Sequence, residues 1–190
     1  DYELGYNYSS PRLQLGVNLY YMFYRDQLVH TGMVNDSSDA LNVNVPKSYR
    51  AGVELMGSWQ ATKWLTLGAN VTLSKNKIRD YVDLLDESPT YGKSLGDMTI
   101  SYSPELIAGG YIDFHVKGFE AVVRTTYVGE QYFTNTENRE LMLDAYNFTN
   151  LELGYTLSTQ KIRSVRFGVT IFNLLNQYYS SNGYGYSYMY

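Results

Sequence analysis

The stretch RLQLGVNLYYMFYRDQLV, residues 12–29, alternates. From Leu13, every second residue is Leu, Leu, Val, Leu, Tyr and Phe. The set starting at Arg12 reads Arg, Gln, Gly, Asn, Tyr, Met and Tyr. A period of two puts the two sets on opposite faces of a β-strand. The pattern outruns the usual five or six residues of a soluble strand. What lies against the oily face, and what the polar face looks at, decides the fold.

Working outward, the same alternation recurs. Ala51, Val53, Leu55, Gly57 and Trp59 oppose Arg50, Gly52, Glu54, Met56 and Ser58. Leu65, Leu67, Ala69, Val71 and Leu73 oppose Thr66, Gly68, Asn70, Thr72 and Ser74. Leu151, Leu153, Tyr155 and Leu157 oppose Glu152, Gly154, Thr156 and Ser158. In the third hairpin Ile107 and Val122 fall on the polar set. Four hairpins result, about 2–30, 49–80, 105–133 and 147–179, with short turns of Ser, Pro, Thr, Lys and Gly. The segments between them, about 31–48, 81–104 and 134–146, are longer and rich in Asp, Asn, Ser, Thr and Gly. Short turns alternating with long polar loops predict an all-β chain: about eight antiparallel strands of an up-and-down transmembrane β-barrel.

Aromatic residues point the same way. Trp59, Trp64, Phe114 and Phe119 adjoin the short turns; Tyr20, Tyr21, Phe23, Tyr24, Tyr127, Tyr132, Phe133, Tyr178 and Tyr179 lie toward the far ends. Two aromatic levels about ten residues apart match the girdles flanking an apolar band. A self-contained small barrel or β-sandwich with an adhesin-like binding role is the alternative, since sandwiches also alternate and use tyrosine. Their loops, however, do not sort by length onto two ends. On the barrel reading the oily face touches outer-membrane lipid. Every backbone group at membrane depth must be paired, which demands a closed sheet.

Composition removes other classes. The chain has 190 residues, a net charge of -4, no cysteine, two histidines and 21 tyrosines. An acidic balance argues against a nucleic-acid reader. Thiolate chemistry and a zinc site lack ligands, and no cofactor is expected. No run of 18 apolar residues suggests a membrane helix. The mean hydropathy of -0.32 does not argue against a barrel, because half of each strand faces a polar interior. Neither a nucleophile elbow nor a phosphate loop is present, so the chain is not read as an enzyme.

Candidate residues fall into two groups. Arg12, Gln14, Asn18, Arg50, Glu54, Asn70, Asp113, Arg124, Glu152 and Arg166 are expected to face the lumen, holding a plug, guiding a ligand or pairing across strands. Asp36, Asp39, Asp83, Asp86, Glu87, Tyr91 and Arg139 are the outer-loop candidates for ligand binding. The loop carboxylates lack the spacing and glycine of an ordered calcium loop, so no metal site is expected. With eight strands and periplasmic short turns, both chain ends fall on the long-loop side. That predicts further strands before Asp1 and after Tyr190, this chain being an excerpt of a larger barrel.

The stretches DYELGYNYSSPRLQLGVNLYYMFYRDQLV, VPKSYRAGVELMGSWQATKWLTLGANVTLSKNKI and VRFGVTIFNLLNQYYSSNGYGY resemble the C-terminal barrel region of TonB-dependent outer-membrane receptors, especially the Bacteroidetes type. The last carries Asn173, Leu174, Asn176 and Tyr179 in an N-L-x-N-x-x-Y pattern. The resemblance implies a plugged barrel of about 22 strands importing an iron chelate, vitamin or glycan. Its partners would be the TonB system and a plug domain, and a surface lipoprotein in glycan-importing relatives. Plug, TonB box and terminal strand do not appear in this sequence.

Overall fold

A computed structural model describes residues 1–35, 37–83, 88, 90–159 and 163–185. The strands are β1 (Tyr2–Ser9), β2 (Leu13–Val34), β3 (Ala40–Gln60), β4 (Leu65–Val82), β5 (Ser94–Thr99), β6 (Leu106–Val116), β7 (Phe119–Val128), β8 (Gln131–Tyr132), β9 (Met142–Leu143), β10 (Tyr146–Leu157) and β11 (Val165–Ile171). A 3-10 turn spans Arg139–Leu141. The main sheet is an antiparallel meander ordered β1-β2-β3-β4-β6-β7-β10-β11, with β5 on the upper part of β4. β1 and β11 do not pair with each other, so the sheet is open.

Directly paired residues in neighbouring antiparallel strands point to the same side. The register therefore reads off both faces. One row runs Leu13, Trp59, Leu67, Ile112, Val123, Leu151 and Ile171. The next row, on the opposite face, runs Ser9, Gln14, Ser58, Gly68, Tyr111, Arg124 and Asn150. Among the described residues no second protein layer covers the apolar side: Leu15, Leu19, Leu55 and Ile112 keep 45–50 % of their surface exposed. In a sandwich these leucines would form the dry centre. From Leu13 to Phe23, about 11 residues make roughly 36 Å of strand. Tilted near 45°, that spans roughly 25 Å, the height of a barrel's apolar band. At the short-turn end Trp64, Phe114 and Phe119 meet edge to face, with centroids 5.4 and 6.3 Å apart. Tyr21 and Tyr49 stack at 6.0 Å at the other end. Tyr20 lines a cavity on the polar side, and Phe133 is buried in a loop; neither joins the upper girdle.

Segment 31–48, expected as a loop, is largely strand. β2 is 22 residues long and β3 is 21, and they form a ribbon rising beyond the band. Asn35 closes it, its Oδ1 accepting from the backbone N–H groups of Ser37 (2.9 Å) and Asp39 (2.8 Å). Asn42 and Asn44 make the stretch look polar, yet Leu41, Val43 and Val45 keep the period of two. Segment 81–104 likewise holds β5, and 134–146 holds the 3-10 turn and β9. The fourth hairpin is shorter than expected: β11 stops at Ile171. Beyond it Asn173 and Asn176 adopt φ of 49° and 50°. The Asn173 side chain accepts from Gln177 N and donates to Gln177 O, both at 3.0 Å. That turn ends the ladder.

A second device shapes the upper part. Asp26 has φ 52° and Asp80 has φ 48°. Left-handed residues inside a strand re-aim the side chains that follow. Before Asp26 the even-numbered residues of β2 face the polar side; after it Gln27 does, where its Oε1 accepts from the Ser48 hydroxyl. Val29 and Tyr81, which follow these residues, thereby turn inward and are buried with Val45, Ile78 and Ile100. This small core sits above the apolar band, under the loops.

Candidate functional site

The polar face is built on β1 to β4 and continues across β6, β7, β10 and β11. Arg50 on β3 donates from Nη1 to Asn76 Oδ1 (3.2 Å) and Ser103 Oγ (3.4 Å). Four residues along β3, Glu54 accepts from Asn18 Nδ2 at 3.2 Å. With Glu3, Tyr20 and Tyr102 these residues line a cavity of about 490 Å3. Among the described residues Arg50 has no ion-pair partner within 4.0 Å. Its spare guanidinium donors suit an anionic group.

Nearer the short turns a second cavity, of about 500 Å3, is lined by Asn7, Gln14, Ser58, Asn70 and Tyr111. The Ser58 and Tyr111 hydroxyls lie 3.0 Å apart. Gly68 makes this arrangement possible, since a Cβ there would come within 2.1 Å of the Tyr111 ring. Arg124 lies over that ring at 5.3 Å and pairs with Glu152 at 3.3 Å. Arg166 pairs with Glu120. Asp113 buries Oδ1 without a hydrogen bond, 3.6 Å from His115 Nδ1. Arg12 is exposed in the β1–β2 turn, where its carbonyl accepts from Gln60 N at 2.8 Å; it lines neither cavity.

The loop candidates sit on separate elements. Asp39 is exposed beside Asn35, which donates to its Oδ2 at 3.2 Å. Asp83 is fully buried, its Oδ2 accepting from Ser88 Oγ (2.5 Å) and Thr90 Oγ1 (2.6 Å). Burial first, and the Asp83 carboxylate second, push the Tyr81 phenol up to about 12, with an Asn135 hydrogen bond opposing them. Tyr91 and Arg139 are exposed. Asp36, Asp86 and Glu87 lie outside the described residues. Among the described residues no group of three or more His, Cys, Asp and Glu gathers as a metal site.

Sequence reading missed the polar clasp that holds the loops together. His30 O accepts from Ser101 Oγ (2.6 Å) and Asn135 Nδ2 (2.9 Å), while Asn135 Oδ1 accepts from Ser101 N (2.7 Å). Beside it, Glu137 Oε1 takes Lys77 Nζ (2.5 Å), Thr99 N (2.8 Å) and Thr99 Oγ1 (2.5 Å). Only the run TNTEN, 134–138, hinted at this, as side chains that compete for backbone partners. Tyr146 and Phe148 stack on Tyr179 at 4.6 and 5.8 Å.

Glu137 gives a pH prediction. Burial raises its carboxyl pKa, but the Lys77 and Thr99 donors outweigh burial and leave it below the ordinary value of 4.5. A depressed folded-state pKa stabilises above the unfolded value and loses that contribution as pH falls through the folded one. Hydrogen-exchange protection of residues 133–141, corrected for intrinsic rate, should therefore hold at neutral pH and fall below 4.5. Glu137→Gln should show the weaker protection already at neutral pH. Equal protection in both proteins at all pH values would refute the clasp.

The model of the family described as TonB dependent receptor-like, beta-barrel, matches residues 1–174. Solved structures share the fold at low identity. The ferric yersiniabactin uptake receptor FyuA of Yersinia pestis matches with TM-score 0.70 and 18% identity over 97% of this chain and 26% of that one. The ferric-catecholate import receptor Fiu of Escherichia coli gives 0.65 and 17% over 94% and 23%. BauA, the ferric preacinetobactin receptor of Acinetobacter baumannii, gives 0.66 and 15% over 93% and 25%. The chain thus spans about a quarter of the length of the receptors it matches. A sheet with an uncovered apolar face, a polar face with cavities and a family match over most of its length have one reading: the chain belongs to the TonB dependent receptor-like β-barrel family, outer-membrane receptors of Gram-negative bacteria and not enzymes.

Proposed function

We propose that this chain forms eight strands of the wall of a larger, plugged transporter of the Bacteroidetes type that imports a ferric chelate across the outer membrane. Gln14, Asn18, Arg50, Glu54, Asn70, Asp113, Arg124, Glu152 and Arg166 face the lumen and plug; Asp39, Tyr91 and Arg139 belong to the entry loops. The plug and the contact with the TonB system belong to parts of the receptor outside 1–190. A surface lipoprotein over the long loops is the further partner that the resemblance implies.

The observation that carries the proposal is Arg50. A guanidinium with no ion-pair partner among the described residues lines a cavity of about 490 Å3 on the side away from lipid. An iron chelate bearing carboxylate or catecholate oxygens offers the negative charge that Arg50 lacks. The three solved receptors named above are receptors for ferric yersiniabactin, ferric catecholate and ferric preacinetobactin, which favours that class over a vitamin or a glycan.

The test deletes the full-length gene and restores it with wild type or Arg50→Ala. Growth and uptake are measured on ferric chelates, cobalamin and glycans as sole sources. Wild type should restore uptake of a ferric chelate, and Arg50→Ala should lower it roughly tenfold, the loss of a charge-assisted contact. Restoration on a glycan or cobalamin alone would overturn the substrate class. Normal growth of the deletion strain on every source would overturn the transport role.

A further inference from the structure

We infer that the four short turns form a basic rim that docks anionic phospholipid headgroups of the inner leaflet of the outer membrane. The inference rests on the short turns facing the periplasm and is independent of which substrate is imported.

Each short turn carries a cation. Arg12 lies between β1 and β2, Lys63 between β3 and β4, Lys117 between β6 and β7, and Arg163 between β10 and β11. These turns, residues 10–12, 61–64, 117–118 and 158–164, contain no aspartate or glutamate, in a chain whose net charge is -4. Lys161, a second cation of the fourth turn, lies outside the described residues.

Main-chain hydrogen bonds lace neighbouring turns into one rim. Gln60 N donates to Arg12 O at 2.8 Å, His115 N to Trp64 O at 3.0 Å, and Thr156 N to Gly118 O at 2.7 Å. Successive turns stand two strands apart, roughly 10 Å. Arg12, Lys63, Lys117 and Arg163 are exposed. Among the described residues they have no ion-pair partner within 4.0 Å. The carboxylates of the adjoining strands are on the polar face, Asp113 beside His115 and Glu120 paired with Arg166.

Turn chemistry shows that one of these charges is not a default. Lys117 has φ 51° and Gly118 has φ 85°, so both central residues of this two-residue hairpin are left-handed. Asparagine or aspartate fills the first position of such a turn most readily. A lysine there forgoes that local preference and presents a cation.

Depth selects the partner. On the lipid side Trp59, Trp64, Phe114 and Phe119 lie next to the turns. Such a girdle marks the level where hydrocarbon gives way to headgroups. Cations one step beyond it stand among lipid phosphates while the acyl chains meet the rings. A soluble anion gains nothing from the aromatic level.

Native mass spectrometry of the full-length receptor in detergent tests this, with phosphatidylglycerol and phosphatidylcholine of the same acyl chains as probes. Wild type should retain phosphatidylglycerol about tenfold or more tightly than the Arg12→Gln, Lys63→Gln, Lys117→Asn, Arg163→Gln variant, in which asparagine suits the hairpin turn. The Arg12→Lys, Lys63→Arg, Arg163→Lys variant, which keeps the charges, should retain it like wild type. On wild type alone, phosphatidylglycerol with a photoreactive headgroup should label peptides containing the four turns, and rising salt should reduce the labelling. Equal retention of the two lipids by wild type, or labelling confined to other segments, would overturn the rim whether or not the substituted protein folds. Displacement of phosphatidylglycerol by an equal concentration of glycerol 3-phosphate, the headgroup without its chains, would overturn the lipid assignment in favour of a soluble acidic partner.

Discussion

Leu19→Arg is expected to destabilise the folded receptor by about 2–4 kcal/mol, while Asn18→Arg, one residue away, should change it by about 0.5 kcal/mol or less. Leu19 lies near the middle of the stretch from Leu13 to Phe23 and pairs with Leu4 and Val53 on the apolar face. An arginine there must hold its charge at the centre of the hydrocarbon layer. Asn18 points to the other side and already donates to the Glu54 carboxylate, so an arginine in its place gains a salt-bridge partner beside an open cavity. Urea unfolding of the full-length receptor in lipid vesicles measures both. Similar losses at the two positions would show that the faces are not chemically opposed and would remove the basis for a membrane wall.

Gly32→Ala should expel the loop around Phe133 while leaving the membrane part of the sheet intact. Gly32 has φ 80°, and a Cβ on it would stand 1.7 Å from Phe133 O and 2.6 Å from Phe133 C. The left-handed backbone alone costs about 1–2 kcal/mol for an L side chain. The overlap with a neighbouring main chain adds to that, because a carbonyl cannot swing aside as a side chain can. Gly32 O also accepts from Gly185 N at 2.8 Å, so the C-terminal segment should loosen with the loop. Limited proteolysis should cut 129–146 far faster in the variant, with the gel shift between folded and heated barrel unchanged. Cleavage at the wild-type rate would mean that the close approach at Gly32 does not exist in solution.

The rows of Leu13, Trp59 and Leu67 against Gln14, Ser58 and Gly68 were legible because strand periodicity is local: each residue's face follows from its neighbours in the chain. The length asymmetry of the connections was legible for the same reason. Read by composition, however, 31–48 looked like a loop, although Val43 and Val45 still alternate. Distance along the chain groups Tyr20 and Phe133 with the girdle, but it says nothing about which side a ring faces.

The site was less legible than the fold. That Arg50 faces Asn76 and Glu54 faces Asn18 follows from alternation once strand partners are known. Which hydroxyls satisfy Asp83, or which donors reach Glu137, depends on how the loops return.

The sequence by itself determined the strands, their two faces and the apolar span, since a two-residue period needs no information from elsewhere in the chain. Only the tertiary structure decided that Asp26 and Asp80 reverse the facing, and that His30, Ser101 and Asn135 meet. Single left-handed residues leave no periodic trace before they act. The contacts that anchor the loops to His30 join residues 71 and 105 positions apart, a separation across which no local pattern carries.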